Sequence, residues 1–330
     1  MVTQTKRKTP VNRAGVAPLG TRIRNHAMFY VLLAPALIVV LLFMYAPMGG
    51  LVLAFKQFKF NTQSAWGNLP VIRFYGQVAN MDWVGLKWFN NLFAKPDFWQ
   101  AFRNTLIISF GRLILEFPMP VILALLMNEM HHPRLKRVYQ TVYTFPHFLS
   151  WVLVASLINM LFTSTGTINQ IIQALGGNPV KFLTDTKTIL PMIFTTSIWK
   201  GVGWGSIIYL ATNSSIDPTL YEAAKIDGAN RWESCLHITW PSIRTTVVIM
   251  LIMQCGQILN AGFDQVFNLY NDITMPVADI FDTFIYRYAF QKGQNFSLTV
   301  AAGLFKSVCN FALLLAANGI AKLCGEEGLL

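Results

Sequence analysis

The apolar stretches of this chain are long enough to cross a lipid bilayer, and this feature limits the folds open to it. The first runs from Ala27 to about Leu53, which exceeds the roughly 20 residues that a transmembrane helix needs. It is also too long for the ~7–15-residue core of a cleaved signal peptide, so we expect a retained helix. Five further runs follow by hydropathy, at roughly 102–127, 138–162, 189–213, 241–262 and 296–320. The sequence therefore predicts an all-α integral membrane protein with six transmembrane helices.

Composition favours the same class. Hydrophobic residues make up 54% of the chain and charged residues 12%, whereas roughly 25% charged residues is usual in globular proteins. The formal net charge of +11 would indicate nucleic-acid binding in a soluble chain. In a membrane protein it is better explained by the basic excess of cytoplasmic loops, so we expect contact with lipid and none with nucleic acid. The four cysteines are too few and too badly placed for a disulfide framework.

The basic residues also orient the predicted spans. The pieces assigned to the cytoplasm (1–27, 128–137, 214–240 with Arg244, and 321–330) hold 13 Lys and Arg, whereas the longer exported pieces (54–100, 163–188 and 263–295) hold 9. This bias places both termini in the cytoplasm. The predicted regions are a basic arm at 1–27, a first span with an exported aromatic loop at 28–100, a five-helix core at 101–320 and a tail at 321–330. We expect the tryptophans of the exported loop at the membrane surface or on a docking face.

A polar segment at 217–241, DPTLYEAAKIDGANRWESCLHITWP, separates two of the apolar runs. Asp217 is a favourable N-cap and Pro218 suits the first helical position, so a helix is predicted to start there. It is predicted to end at Gly228, which can adopt the left-handed conformation that closes a helix. Asn230 and Glu233 predict a second cap with a reciprocal bond. The segment should therefore form two short helices with an elbow at Gly228.

The surface of the first short helix has two interpretations. Ala223 and Ala224 are small, so another protein could approach the backbone closely, and Glu222 and Asp227 could pair with basic residues of that partner. A capped helix of this kind is also common as an ordinary amphipathic connector. The residues alone leave both interpretations open.

The spacing of this segment resembles the EAA loop of bacterial ABC import permeases. Glu222-Ala223-Ala224, three residues, Gly228, nine residues, Ile238, one residue and Trp240-Pro241 follow the family pattern, with Trp240 in the place of its usual leucine. In that family the loop is the cytoplasmic coupling helix, which sits in a cleft of the ATPase subunit. The resemblance implies that the ATPase-coupling residues are Glu222, Ala223, Ala224, Asp227 and Gly228.

The rest of the chain is similar to the carbohydrate-uptake class of these permeases. Phe263-Asp264-Gln265-Val266 and the segment Asp282–Arg287 resemble the branch that handles complex oligosaccharides such as alginate and aldouronate. The resemblance implies a type I ABC importer permease fold in the bacterial cytoplasmic (inner) membrane. It also implies three kinds of partner: a second, different permease chain, a dimer of ABC ATPases, and an extracytoplasmic solute-binding protein.

No catalytic constellation is found in the sequence. There is no Gly-rich Lys-Ser/Thr loop for binding nucleotide phosphates, and His131-His132 has no carboxylate placed to complete a metal site. We therefore predict a transport subunit that is not an enzyme and binds no cofactor or metal. By the resemblance, ATP and Mg²⁺ belong to the partner ATPase.

Charged residues within the predicted spans are costly unless they are paired or face water. Arg112 and Glu116 are four residues apart on one helical face and can neutralise each other, either to fix helix packing or to contact cargo. Lys200 lies among Gly201, Gly203 and Gly205. It could extend to a lipid headgroup or face a cavity. Lys306, near the middle of the last span, could neutralise an acidic cargo or pair with the partner permease.

Three amides of the fifth predicted span, Gln254, Gln257 and Asn260, are spaced by three residues and would share a helical face. They could bond neighbouring helices, but as a set we assign them to the cargo pathway, because amides suit sugar hydroxyls. With Lys200 and Lys306 they form the candidate substrate pathway. The hypothesis is an importer permease for an oligosaccharide, specifically an acidic, uronate-type one. The alternatives are an ABC permease for a non-sugar solute, and a membrane channel or enzyme without an ATPase.

Overall fold

The computed structural model describes residues 26–59, 70–130, 132–293, 295–323 and 325. The predicted arm at 1–27, apart from its last two residues, and most of the predicted tail at 321–330 lie outside this range. The described chain is helical, with an isolated antiparallel β-bridge between Lys56 and Trp83. The helices are α1 (Ala27–Val40), α2 (Pro70–Ala79), α3 (Lys87–Phe93), α4 (Pro96–Leu115), α5 (Pro118–Asn128), α6 (Pro133–Thr144), α7 (Trp151–Phe162), α8 (Thr167–Ala174), α9 (Ile189–Ser214), α10 (Pro218–Ile226), α11 (Arg231–Ser234), α12 (Trp240–Cys255), α13 (Phe263–Leu269), α14 (Met275–Ala278), α15 (Phe281–Tyr286) and α16 (Phe296–Leu323).

The chain divides into two compact units. The first contains the described residues up to Val52 and those of 70–80, and the second contains 53–59 and the described residues from Met81 onward. In the first unit, α1 has no buried residue and continues through a π-helical turn at Leu41–Tyr45 into a short α-helical segment at Ala46–Met48. Residues 81–100 belong to the second unit, which also holds the helices from α3 to α16. The functional division predicted from the sequence stays a prediction.

Five helical stretches of the described chain are long and apolar enough to cross a membrane: Ala27–Phe55, Pro96–Asn128, Trp151–Ala174, Arg231–Cys255 and Phe296–Leu323. Helix α9 coincides with the remaining predicted span, at 189–213, and has 26 residues, or about 39 Å at 1.5 Å per residue. It is less apolar than the five because it carries Lys200, several hydroxyl residues and three glycines. The six-span count therefore stays a prediction.

Three predicted spans have different boundaries in the structure. The run at 102–127 bends at Glu116–Phe117 before Pro118, and the run at 241–262 leaves the helix after Cys255. The prediction of one continuous helix at 138–162 is wrong. This run is divided by a 3₁₀ turn at Phe145–Phe148, and the apolar stretch continues to Ala174 instead. Pro146 has no backbone N–H to donate to the helix, and Ser150 then caps α7.

The tryptophans of the predicted exported loop do not all lie at a surface. Trp88 is buried, and its Nε1 donates to the carbonyl of Lys56 at 3.0 Å. Trp83 and Trp99 are exposed, and Trp66 lies outside the described residues. The prediction of a surface position is therefore wrong for Trp88, whose indole packs in an apolar cluster with Leu92 and Phe98.

Helix α9 has one face that packs inside the protein and another that lines a cavity. Thr196, Lys200 and Gly203 lie on a buried face, whereas the face with Ser197 and Trp204 lines a cavity. At Gly203 the helix approaches the end of α6 so closely that an added Cβ would lie 2.1 Å from the carbonyl oxygen of Tyr143. Because no side chain fits there, glycine sets the separation of these two helices.

We expect Gly203→Ala to destabilise the fold by about 1–3 kcal/mol, because the new methyl group meets backbone that cannot move alone. Gly201→Ala is the matched control, since a Cβ added there would have no atom within 4 Å and alanine favours the helix. The melting temperature of the detergent-purified protein should fall for Gly203→Ala and hold or rise for Gly201→Ala. Equal melting temperatures would contradict the proposed close approach.

Candidate functional site

The polar segment forms the predicted first helix with caps at both ends. The Asp217 carboxylate accepts a hydrogen bond from the Thr219 amide at 2.9 Å, and this bond lowers the pKa of that carboxyl. At the other end Gly228 has φ +82°. The Ala229 amide donates to the Ala224 carbonyl and the Gly228 amide to the Lys225 carbonyl, which is the Schellman arrangement. The predicted start and end of the helix are confirmed.

The second short helix is also confirmed. The Glu233 amide donates to the Asn230 side chain at 3.0 Å, and the Glu233 carboxylate accepts from the Asn230 amide at 2.7 Å. The chain then continues through a π-helical turn at Cys235–Thr239 into α12. Tyr221 Oη and Thr239 Oγ1 are 2.9 Å apart. This bond attaches α10 to the beginning of the following apolar helix.

The predicted coupling residues share one accessible elbow. Glu222, Ala223, Asp227 and Gly228 are exposed and Ala224 is half-buried. Two apolar side chains that the sequence analysis missed lie beside them: Ile226 is 86% exposed and Trp232 is 73% exposed. In a polar segment predicted to lie outside the membrane, such side chains are consistent with a surface that contacts another protein. The sequence did contain a signal for Ile226, because this isoleucine stands between Lys225 and Asp227 at the end of a capped polar helix.

A cavity of ≈ 510 Å³ lies where the α4–α5 joint, α9 and α12 meet. Gln254 and Gln257 line it, together with Glu116, Ser197 and Trp204. Gln254 is in the last turn of α12, whereas Gln257 and Asn260 follow in turns closed by bonds from Gln257 N to Gln254 O and from Asn260 N to Gln257 O. The structure therefore brings two of the three predicted amides to one cavity, and Asn260 is not among its lining residues.

The wall of this cavity is supported by a buried polar network. The Arg112 guanidinium donates to Gln265 Oε1 and contacts Ser197 Oγ at 3.4 Å. Ser197 Oγ donates to Glu116 Oε2 at 2.8 Å, and Arg112 Nε lies 3.7 Å from Glu116 Oε1. The predicted Arg112–Glu116 pair is thus present as part of a larger set. It joins α4, α9 and α13.

Gln265 holds the other end of the network and is fully buried. Its Nε2 donates to the Ile193 carbonyl at 2.7 Å and to Thr196 Oγ1 at 2.8 Å. Gly262, with φ +80°, precedes α13, and a Cβ there would lie 2.6 Å from the Arg112 guanidinium. Glycine is therefore required at this turn both for its backbone angle and for space.

Lys200 does not line the cavity. Its Nζ donates to the His147 carbonyl at 2.7 Å and lies 5.3 Å from the centre of the Trp151 ring. The His147 ring in turn stacks on Trp204, with centroids 4.5 Å apart and planes 2° apart. Lys200 therefore supports the corner between α6 and α7, and through His147 it positions the indole that lines the cavity.

The other predicted cation also has a partner inside the chain. Lys306 Nζ lies 2.6 Å from Asp282 Oδ1, and both side chains are largely buried. The pair is therefore neutral as a unit. A buried pair that the sequence analysis missed lies nearby in the chain: Arg287 donates to both Asp279 oxygens at 2.9 and 2.7 Å. Its members are eight residues apart across a bend, so no helical spacing indicates the contact.

No group of three or more His, Cys, Asp or Glu side chains suited to a metal ion occurs in the described ranges. The described cysteines, Cys235, Cys255 and Cys309, are free thiols.

Three comparisons relate the chain to known proteins. The profile of the family "Binding-protein-dependent transport system inner membrane component" matches residues 118–322. Protein LplB of Bacillus subtilis (strain 168) is 41% identical over 326 residues, or 98% of each chain. The polygalacturonan/rhamnogalacturonan transport system permease protein YteP of the same organism is 40% identical over 91% of this chain and 89% of its own. A chain in the crystal structure of a bacterial alginate ABC transporter in complex with alginate pentasaccharide-bound periplasmic protein aligns with a TM-score of 0.82 at 35% identity, covering 95% of this chain and 100% of that chain.

We expect Gln265→Leu to lower the free energy of unfolding by about 1–3 kcal/mol. The substitution removes the buried acceptor of Arg112 and the donor to Ile193 and Thr196. Gln254→Leu is the control, since that side chain is exposed and makes no hydrogen bond with the described residues. Unfolding by increasing mole fractions of SDS should begin earlier for Gln265→Leu alone. Identical unfolding curves for the two variants would show that the network does not stabilise the fold.

Proposed function

Because this chain belongs to the family of binding-protein-dependent transport system inner membrane components, we propose that it is the membrane-spanning permease subunit of an ATP-driven oligosaccharide importer. The predicted family is confirmed, and with it a transport component of the inner membrane that has no catalytic role of its own. The observation that carries the finer proposal is the exposed, doubly capped elbow from Asp217 to Ser234. An element so well ordered, with Ile226 and Trp232 open to solvent, suits a permanent protein partner.

In this proposal the partner at the elbow is one subunit of an ABC ATPase dimer. Ala223 and Ala224 allow its groove to approach the α10 backbone, and Glu222 and Asp227 meet basic groups at the rim. Gly228 keeps the turn tight enough for both short helices to share the contact. ATP and Mg²⁺ bind to the ATPase and not to this chain.

Movement at the elbow has a direct route to the cavity. Helices α11 and α12 with the π-helical turn between them form one stretch of 25 residues, Arg231–Cys255, which spans about 37 Å. Its first half is held to α10 through the bond between Tyr221 and Thr239, and its last turn carries Gln254. A displacement of the coupling helix would therefore shift a wall of the cavity, as alternating access requires.

The cargo that suits the cavity is a sugar. Gln254 and Gln257 offer donors and acceptors for hydroxyl groups, and Trp204 offers an aromatic face already backed by His147. Relatives named for polygalacturonan and alginate transport support an acidic oligosaccharide as the specific cargo. A non-sugar solute is the alternative cargo, and uptake measurements with purified components decide between them.

The contacts of the two cations assigned to the substrate pathway limit the roles that we propose for them. Lys200 would act as a positioning residue, because its contacts reach the cavity only through His147 and Trp204. Lys306 would meet an acidic cargo only if Asp282 were displaced. Asn260 would act outside the cavity, on the adjoining part of the path. Glu116 is the one charged residue among the described groups lining the cavity, so this lining offers a cargo no cation.

The remaining assembly follows the same proposal. A second, different permease chain completes the passage, and an extracytoplasmic binding protein delivers the cargo to the exported side. Helix α9 completes the set of six spans, so that both termini and the elbow lie in the cytoplasm. The regions 1–27, 28–100, 101–320 and 321–330 then act as arm, first span with exported loop, permease core and tail.

We expect Glu222→Lys to abolish uptake of oligosaccharide in proteoliposomes containing the whole transporter, because a reversed charge opposes docking of the ATPase. Ala223→Trp should act in the same way by blocking close approach. Glu222→Gln, which keeps the shape, should retain most of the uptake. Amounts of permease in the membrane are measured in parallel. Normal transport by Glu222→Lys and Ala223→Trp at normal amounts would refute the coupling role.

The orientation is tested by cysteine labelling in a background lacking the native cysteines. Leu86 is 61% exposed, so Leu86→Cys should react with a membrane-impermeant maleimide in intact cells. Arg134→Cys should react only after the membrane is opened, because we assign Arg134 to the cytoplasm. The opposite labelling pattern would place the elbow outside the cell and end the proposal of an ATPase partner.

A further inference from the structure

A second recess, of ≈ 270 Å³, lies between the end of α7, the loop before α9 and the end of α13. Its volume is just below the roughly 300–1,000 Å³ of sites for drug-sized ligands, so it suits one sugar unit and not a chain of them. In the topology proposed above, these segments are exported. The recess is separate in its lining residues from the cavity that contains Gln254.

The loop that forms its rim is held by side-chain hydrogen bonds. Asn169 is fully buried; its Nδ2 donates to the Thr163 and Val180 carbonyls, both at 2.9 Å, and its Oδ1 accepts from the Val180 amide at 2.7 Å. Thr188 Oγ1 lies 2.9 Å from the Lys181 carbonyl and 2.8 Å from that of Phe182. The backbone on both sides of Lys181 is therefore fixed before any ligand arrives.

The far wall is attached to the same loop. Asn271 Nδ2 donates to the Leu183 carbonyl at 2.7 Å, which joins the end of α13 to the rim. The Phe162 and Phe182 rings meet edge to face at 5.3 Å and form an apolar side. A recess built in this way keeps its shape, so a ligand would lose little energy in ordering it.

Its polar groups combine one positive charge with unused hydrogen-bonding capacity. Lys181 is the only charged residue among those lining the recess, and it has no ion pair with the described residues. The side chains of Asn159 and Ser164 make no hydrogen bond within the described part of the chain. Asn268 Nδ2 donates to the Asp264 carbonyl, which leaves its oxygen to accept from a ligand. Amides and hydroxyls bind sugar hydroxyls, and an ammonium group binds a carboxylate.

The carboxylates closest in the chain do not line the recess. Asp185 accepts from the Lys187 amide at 2.9 Å, and Asp185, Asp264 and Asp272 are all absent from the lining. The contrast with the cavity is clear, because the charged residue lining the cavity is Glu116. A negative ligand is therefore favoured at the recess and not at the cavity.

We infer that this recess is an entrance subsite that binds one uronate unit of an acidic oligosaccharide, with Lys181 opposite its carboxylate. The inference rests on the proposed function and orientation. It assigns recognition of the acidic group to the exported side of this chain, ahead of the passage through the membrane.

The test compares uptake of a galacturonic-acid trisaccharide with uptake of its carboxyl-reduced, neutral counterpart by the reconstituted transporter with its ATPases and binding protein. Lys181→Gln should raise the half-saturating concentration of the acidic trisaccharide about three- to tenfold, which corresponds to loss of one favourable contact, and leave the neutral one unchanged. Lys181→Arg, which keeps the positive charge, should leave the half-saturating concentration of the acidic trisaccharide close to that of the unmodified transporter. Lys187→Gln is the matched control, since Lys187 is exposed in the same loop and does not line the recess.

The possible failures differ from one another. Uptake of neither trisaccharide by the unmodified transporter would overturn the oligosaccharide function and this inference with it. Normal uptake of both, with Lys181→Gln affecting both equally or neither, would overturn the inference alone. An equal loss accompanied by weaker association of the binding protein would overturn it too, and would identify the recess as part of that protein's docking surface.

Discussion

The buried contact between Arg112 and Gln265 is the constraint on which the core depends. Lipid gives packed transmembrane helices little hydrophobic reason to associate, so close packing and hydrogen bonds decide which helices pair. Arg112 cannot be left alone in such an environment. Its bonds to Gln265, Ser197 and Glu116 therefore fix the relative positions of α4, α9 and α13. Glu116 and Ser197 belong to this network and also line the cavity. The network therefore positions the polar wall of the cavity as well.

Helix α9 packs against its neighbours with one face and lines the cavity with the other. Its buried face uses Gly203 to approach α6 and Lys200 to hold the His147 carbonyl. Its other face presents Ser197 and Trp204 to the cavity. A lysine on the buried side is stable because it finds a carbonyl and the Trp151 ring there. The polar residues that make α9 less apolar than its neighbours are thus the residues that give it two different faces.

Local features were predictable from the sequence, and contacts across the fold were not. The caps at Asp217, Gly228 and Asn230 depend on residues within a few positions of each other, so their pattern specified the elbow completely. Hydropathy located the apolar runs but continued two of them through Pro118 and Pro146, which both stand at helix breaks. The partners of Lys200 and Lys306 are 53 and 24 residues away. Nothing in the spacing of one sequence identifies contacts at such distances.

These partners change where charge can assist an acidic cargo. Lys200 and Lys306 are occupied inside the bundle, and the cavity contains amides, an indole and the carboxylate Glu116. Transport requires binding that is favourable enough for entry and weak enough for release. A fixed cation in the middle of the passage would hold a uronate in place. If the cation of the recess lies at the entrance and the amides of the passage bind only hydroxyls, the cargo is recognised once by charge and then carried without being trapped.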